Sequence, residues 1–361
     1  MKAWRLYGYG DIRLEEVPLP EIKPGWVLVK VKVVQVAVVE AGHVEGMPHH
    51  FQAGIDKMLS EGKPVQLGHE YCGEVVEIGK GVTTLKVGDR VSSENPIPCG
   101  ACRMCREGKV SQCLSHIAVG REIPGAYAEY VCLPEYGLTK IPDGSTDNEV
   151  AAFQPLSTCA IQVKSADIQM GDTVVVLGQG PMGLGVLQIA KLAGAGLLIG
   201  VDIRPETLDL SRDFGANIVI NSSEVDVVKE VKRLTDDVGA DVVFEEAGGR
   251  PKDGLAGFLT IEQAIQMVRI GGKIVQGANL VGKLELDSVF MKNRCIRYIN
   301  PSRALGGEFL QYAAFLAANG RIKVAPQISH VLHGLEKVPE ALEITVNKAK
   351  YRATNPPQIV V

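Results

Sequence analysis

The chain has 361 residues, of which 46% are hydrophobic and 22% charged, and carries a formal net charge of -4. That length provides for two domains, each able to bury a core without staples. The weak acidic balance and the lack of any Lys/Arg-rich block speak against nucleic acid as a partner, and no run approaches 18 uninterrupted apolar residues, which speaks against a membrane span. The opening segment, MKAWRLYGYGDIRLEEV, has charges every few residues and none of the apolar core of a signal peptide, so a cytoplasmic protein is expected.

Residues 1 to about 150 contain short β-branched stretches at Trp26 to Val39, Glu74 to Ile78, Arg90 to Ser92 and Ala128 to Leu133. Turns at Lys23-Pro24-Gly25 and Lys86-Val87-Gly88-Asp89 precede two of them, the spacing of an all-β unit. Within Met47 to Gln66, Phe51, Ile55, Met58 and Leu59 have helical spacing, read equally as a packing helix or a substrate lid. From about residue 151, apolar strands alternate with helical patterns: strands at Asp172 to Leu177, Leu197 to Asp202, Ile218 to Asn221, Asp241 to Glu245 and Lys273 to Gln276. Helices are expected at Gly183 to Ala193, Ser223 to Thr235 and Ile261 to Val268. This βαβ punctuation predicts an α/β doubly wound parallel sheet. After about residue 290, a helix over Glu308 to Asn319 precedes strand-like pieces expected to return to the first domain.

Gly178-Gln179-Gly180-Pro181-Met182-Gly183 has GxGxxG spacing, directly after a strand and at the opening of a helix. The first glycine permits a tight turn, the second lets a pyrophosphate approach the backbone and the third lets helix and strand pack. Asp202, at the end of the next strand, is placed for ribose hydroxyls and disfavours a 2′-phosphate, so NAD is expected over NADP. Arg204 works against that preference, and the bland alternative is a glycine turn that binds no dinucleotide. Of the eight cysteines, Cys99, Cys102, Cys105 and Cys113 form CxxCxxCx7C. Four thiolates so spaced suit a tetrahedral structural zinc with no open position, and an iron-sulfur cluster is the alternative.

The dinucleotide turn, the cysteine lobe, Gly68-His69-Glu70 ahead of Gly73-Glu74-Val75-Val76-Glu77-Ile78-Gly79, Val87-Gly88-Asp89-Arg90-Val91, Gly125-Ala126-Tyr127-Ala128-Glu129-Tyr130 and Asn355-Pro356-Pro357 run nearly end to end. Together they resemble the zinc-type alcohol and polyol dehydrogenases of the medium-chain dehydrogenase/reductase superfamily. The resemblance implies a GroES-like β-rich catalytic domain over 1–153 and 292–361, with a structural zinc lobe at about 95–115. It implies a Rossmann domain over 154–291, a small-molecule substrate, and a homodimer or homotetramer. Thr158 would lie beside the nicotinamide, with Gly277, Ala278 and Asn279 along its other edge.

The resemblance breaks at the catalytic zinc, which the family holds through a cysteine, the His of GHE and a third Cys or Glu. Alignment on Val27 to Lys32 puts Ala37 at the cysteine, Val39 at the Ser/Thr of the proton relay, Glu40 at the acid and Gln154 at the third ligand. Only His69 and Glu70 keep their expected places. Without zinc, activating the alcohol falls to a general base, with His69, Glu70, Glu40 and His43 as candidates. The alternative is that these four rebuild a metal site if the loop around Glu40 folds inward. His43, His49 and His50 also read as solvated residues of a polar segment.

The leading expectation is an NAD(H)-dependent oxidoreductase acting on a secondary alcohol/ketone pair: a polyol, a cyclic alcohol or a larger hydroxylated metabolite. The alternatives are a zinc-free reductase of an activated carbon-carbon double bond (an enone or enoyl thioester) and a dinucleotide-binding protein without catalysis.

Overall fold

A computed structural model describes residues 1–46, 52–249, 256–301 and 307–361. The chain divides into two units, Met1–Ser157 with Arg303–Val361, and Thr158–Ser302. Among the described residues, no helix is long and apolar enough to cross a membrane.

The first unit is organised on the ten-residue strand Trp26–Gln35. Val29 and Val31 are fully buried while Lys30 between them is exposed, the two-residue period of a strand with one face on a core. One edge pairs antiparallel with Glu70–Ile78. The other is shared between Tyr130–Pro134 and the returning C-terminal strand Gln358–Val360. Arg90–Ser93, Leu138–Lys140 and Val331–His333 complete the seven-stranded sheet, and Lys2–Gly8 with Asp11–Glu16 forms a separate hairpin.

The tail is fastened at Gln35, which is fully buried. Its side-chain oxygen accepts from Asn355 Nδ2 at 2.5 Å and from Gln358 Nε2 at 3.0 Å, while its amide nitrogen donates to Glu70 Oε2 at 2.5 Å. A buried amide must satisfy both its ends. Gln35 does so by tying the last strand to the residue after His69.

Two expectations for this unit are corrected. The strand expected over Trp26 to Val39 ends at Gln35, and Val38–Val44 is a helix. Ala37 leads into that helix in extended conformation, and the Glu40 carboxylate folds back to accept from its N–H at 3.3 Å, satisfying a donor that helix starts leave open. Nor is the unit all-β, since it also contains Gln52–Ser60, Asp147–Ala151 and Val338–Val346. In Gln52–Ser60, Ile55 is fully buried, with Met58 and Leu59 packed against the core, which favours the packing-helix reading over the lid. Met47-Pro48-His49-His50-Phe51 lies outside the described residues.

The second unit is a six-stranded, all-parallel sheet. Its spatial order is Ile218–Asn221, Leu197–Asp202, Thr173–Leu177, Ala240–Glu245, Val268–Gln276 and Arg297–Ile299. In chain order this is 3-2-1-4-5-6, the doubly wound Rossmann arrangement, whose switch point lies between Thr173–Leu177 and Ala240–Glu245. Buried on both faces, these strands read as continuous apolar runs; Val174, Val175, Val176 and Leu177 are all fully buried.

Helix starts differ from the periodicity for local chemical reasons. The helix expected from Gly183 begins at Pro181, because proline suits a first-turn position where its missing N–H is not needed. The helix expected from Ser223 begins at Val227, because Asp226 caps it by accepting from Lys229 N at 3.1 Å.

Replacing the buried amide at the tail junction tests this account. Gln35→Leu leaves groups of Glu70, Asn355 and Gln358 unsatisfied, and denaturant unfolding should report a loss of about 2–4 kcal/mol. A loss under about 0.5 kcal/mol would mean that the tail is held without this residue.

Candidate functional site

The glycine turn lies at the C-terminal end of Thr173–Leu177, at the switch point of the parallel sheet, and its three glycines have three different surroundings. Gly178 has φ +91, and a Cβ there would come within 2.8 Å of Ala247 Cβ. Gly183 packs so closely that a Cβ would stand 1.8 Å from Gly178 O. A Cβ on Gly180 would meet nothing within 4 Å. Gly178 and Gly183 are therefore glycines for the protein's own packing, whereas Gly180 opens onto free space at a helix N-terminus, where backbone N–H groups favour an anion.

Gln179 fixes this turn from beneath. Fully buried, it donates from Nε2 to Val176 O at 2.8 Å and accepts from Ser211 Oγ at 2.8 Å, while its own N–H donates to Asp202 Oδ2 at 2.6 Å. The other oxygen of Asp202 accepts from the N–H groups of Ile203 and Arg204, at 2.7 and 3.0 Å. The Arg204 guanidinium stands 3.9 Å from both Asp202 and Glu206. Thr158 is half-buried on Phe153–Ala166, and Gly277 and Ala278 both donate to Glu245 O at 2.9 Å, with Asn279 exposed beyond them.

In the first unit, the sulfurs of Cys99, Cys102, Cys105 and Cys113 all lie within 4.8 Å of one another. The closest separations are 3.5 Å for Cys102–Cys105 and 3.9 Å for Cys102–Cys113. Tetrahedral zinc with bonds of about 2.3 Å separates its thiolates by about 3.8 Å, so the set fits a zinc ion. Backbone N–H groups aid the charged form: Cys102 N donates to Cys99 Sγ and Cys99 N to Cys113 Sγ, each at 3.3 Å.

His69 and Glu40 form a buried pair at 2.8 Å between Nδ1 and Oε1. The same carboxylate accepts from Gly68 N at 2.8 Å and from the Tyr127 hydroxyl at 2.6 Å, besides Ala37 N. Burial alone would push the Glu40 carboxyl up, but the charge of His69 and the hydrogen bonds from His69 and Tyr127 outweigh it and hold it below the usual range. For His69, burial pulls downward and the charge of Glu40 outweighs that, so the imidazole is raised above its ordinary value. Nδ1–H donates to a carboxylate that can only accept, which leaves Nε2 as the basic nitrogen, 3.9 Å from Glu70. Glu70 is pushed up to about 7 by burial, partly offset by His69 and Gln35. A small cleft lies here, lined by Glu40, His43, His69, Asn95 and Arg121 among others.

Residues 23–143 match the alcohol dehydrogenase GroES-like domain, and residues 181–318 match the zinc-binding dehydrogenase family. The chain belongs to the zinc-type alcohol dehydrogenases of the medium-chain superfamily. It is 32% identical over 320 residues to the L-threonine 3-dehydrogenase of Sinorhizobium fredii, covering 88% of this chain and 87% of the relative. It is 33% identical over 276 residues to the sorbitol dehydrogenase of Bacillus subtilis, covering 76% and 74%. A candidate zinc-binding dehydrogenase of Sinorhizobium meliloti 1021, crystallised with NADP, superposes with a TM-score of 0.84 at 28% identity over 100% of this chain and 99% of that one.

In this dehydrogenase the donors around His69 do not fit a second, catalytic zinc. Ala37 presents a methyl group, and Glu40 is already occupied by four donors. Among the described residues, the four cysteines are the one group of His, Cys, Asp and Glu side chains brought within reach of a single ion. The structure does not group Glu40, His43, His69 and Glu70 around one point; the segment carries Glu40 inward onto His69. His43, expected also as a solvated residue, is 3% exposed.

Tyr127, Gln35 and Arg121 carry no local sequence signal for the places they take. Tyr127 lay within a stretch that carried the family resemblance, whereas the hydroxyl contact to Glu40 spans 87 positions and left no local signal.

Two substitutions separate packing from ligand contact. Gly180 has φ −72, ordinary for any residue, so Gly180→Ala should leave stability within about 0.5 kcal/mol yet weaken dinucleotide binding at least about tenfold by calorimetric titration. Paired Cys99→Ser and Cys102→Ser changes should reduce bound zinc from about one per chain to almost none in elemental analysis. Zinc surviving those changes would place a metal elsewhere.

Proposed function

We propose that this dehydrogenase transfers hydride between NAD(H) and a secondary alcohol/ketone pair, with His69 as general base and no catalytic zinc. The observation that carries the reading is the buried His69–Glu40 pair, whose 2.8 Å contact leaves Nε2 as the proton-accepting atom. The open face at Gly180 supports a dinucleotide, and its nicotinamide, when bound, supplies the hydride acceptor. Preference for NAD rests on Asp202, whose carboxylate is held by three backbone N–H groups, and on Arg204, whose charge is shared between Asp202 and Glu206. Thr158, Gly277, Ala278 and Asn279 complete the proposed cofactor site, and the four cysteines its structural zinc.

The proton has a defined route. His69 takes it from the substrate hydroxyl at Nε2, and Glu40 holds the ring orientation and stabilises the imidazolium that forms. Tyr127 and Gly68 keep Glu40 ionised by donating to it. Glu70, poised near neutrality by burial, is the next group along from Nε2.

The test is nicotinamide absorbance with a panel of secondary alcohols, and in reverse with ketones and enones. Turnover confined to enones would overturn the reading in favour of double-bond reduction. The pH dependence follows from the pair. A base must be neutral to act, and His69 is raised, so kcat/KM for alcohol oxidation should climb through a pKa above 6.5. Glu40→Gln removes the main raising influence and leaves burial, which lowers, so the limb should move to lower pH while kcat falls about 100-fold. An unmoved limb would assign the base to another group.

A further inference from the structure

The carboxyl of Glu246 takes no part in the hydride and proton transfers above, yet it sits at the proposed cofactor site. Glu246 follows the strand Ala240–Glu245, and its N–H donates to Leu177 O at 2.8 Å, across the switch point of the sheet. Its side chain lies against Gly277: a Cβ there would stand 2.0 Å from Glu246 Oε1 and 2.4 Å from its Cδ. Any side chain at 277 would collide with this carboxyl. Oε1 is closed off from solvent and has no hydrogen-bond partner. From the helix Phe153–Ala166, Cys159 and Gln162 face it, the first next to Thr158 and the second one turn further on. The carboxyl is thus held between Gly277 and the helix that carries Thr158, the two flanks proposed for the nicotinamide.

A carboxylate shut away from water is strongly disfavoured unless donors or a cation meet it. Glu245 has its donors, accepting from Ala247 N at 2.9 Å and from the Thr260 hydroxyl at 2.8 Å. Glu246 has none of that kind. Among the described residues no cationic side chain pairs with it, and three groups surround it. The Glu245 carboxyl disfavours a second negative charge beside it. The buried Cys159 thiol is itself raised well above its ordinary value, by burial first and by Glu246 second. Gln162 is fully buried with neither end of its amide in a hydrogen bond. Burial first, then Glu245, push the Glu246 carboxyl well above the usual carboxylate range, and the nearby Gln162 draws it only partly back. The free protein therefore keeps Glu246 protonated, and what its charged form lacks is a cation.

The two redox forms of a nicotinamide cofactor differ by one positive charge, the ring being cationic when oxidised and neutral when reduced. Only an interaction that differs between two forms can shift the balance between them. A carboxyl in a site of low dielectric is such an interaction. We propose that Glu246 discriminates between the oxidised and reduced cofactor: its carboxyl releases a proton to solvent when NAD+ binds, meets the ring cation as a carboxylate, and takes a proton back from solvent once the ring is reduced. This rests on the dinucleotide site proposed above.

Because NAD+ favours the ionised carboxyl, its binding should tighten as pH rises, whereas NADH gains nothing from that ionisation. Calorimetric titration of NAD+ and of NADH at about pH 6 and about pH 9 reads this directly. In the wild type the ratio of the two dissociation constants should move toward NAD+ at least about tenfold between those pH values. NAD+ binding should also release a proton, seen as a heat that changes with the ionisation enthalpy of the buffer. Glu246→Gln keeps the shape and cannot ionise, so its ratio should stay flat with pH and its proton release vanish. NADH affinity within about threefold of the wild type shows that the variant is folded. Glu246→Met, which removes the charge with an apolar side chain, should behave alike, and Glu246→Asp should retain part of the shift. A flat ratio in the wild type, or a pH shift that persists in Glu246→Gln or Glu246→Met, overturns the proposal and leaves the dinucleotide reading standing. If the wild type binds neither NAD+ nor NADH, the dinucleotide reading fails and this proposal fails with it.

Discussion

Glu40, 2% exposed, brings a carboxylate into an interior where an unmet charge would cost several kcal/mol. Four donors make it tenable: the N–H groups of Ala37 and Gly68, the Tyr127 hydroxyl and His69 Nδ1. These come from three separate stretches of chain, so the carboxylate fixes the start of Val38–Val44, the approach to Glu70–Ile78 and the tyrosine stretch relative to one another. The tautomer and orientation of His69 follow from that arrangement, and with them the identity of its basic nitrogen. The neighbouring Glu70 is held by Gln35, and Gln35 by the C-terminal strand, so the last residues of the chain buttress the same centre.

The nucleotide turn is held by a different kind of constraint. Gly178 and Gly183 are required by the protein's own close packing, and Gly180 alone is left facing free space. Gln179, Ser211 and Asp202 stiffen the turn from below, so the N–H groups at the start of Pro181–Leu192 are set by buried hydrogen bonds. Such preorganisation matters because N–H groups already aimed at an anion need no rearrangement to bind it.

Much of this was legible in the sequence because the signals were local. Turn glycines directly after an apolar strand, an acid at the end of the next strand and four closely spaced cysteines each lie within one or two elements, where spacing translates into geometry. What failed was also local in cause. The run Val36-Ala37-Val38-Val39 reads as strand by composition, but Glu40 reaching back to Ala37 starts a helix at Val38. Proline at 181 and aspartate at 226 moved helix starts that apolar periodicity could not locate.

The sequence by itself determined the family, a doubly wound parallel sheet and a GroES-like domain, the position of the glycine turn and the grouping of four thiols. The family resemblance also led to the expectation that Ala37 and Gln154 stand where zinc ligands are usual. Only the tertiary structure decided what Glu40 does, because its partners lie 28, 29 and 87 positions away and no short spacing encodes them. The same holds for Arg121, whose burial beside His69 depends on a turn packed against a distant strand entry, a juxtaposition of chain segments that pattern along one dimension does not carry.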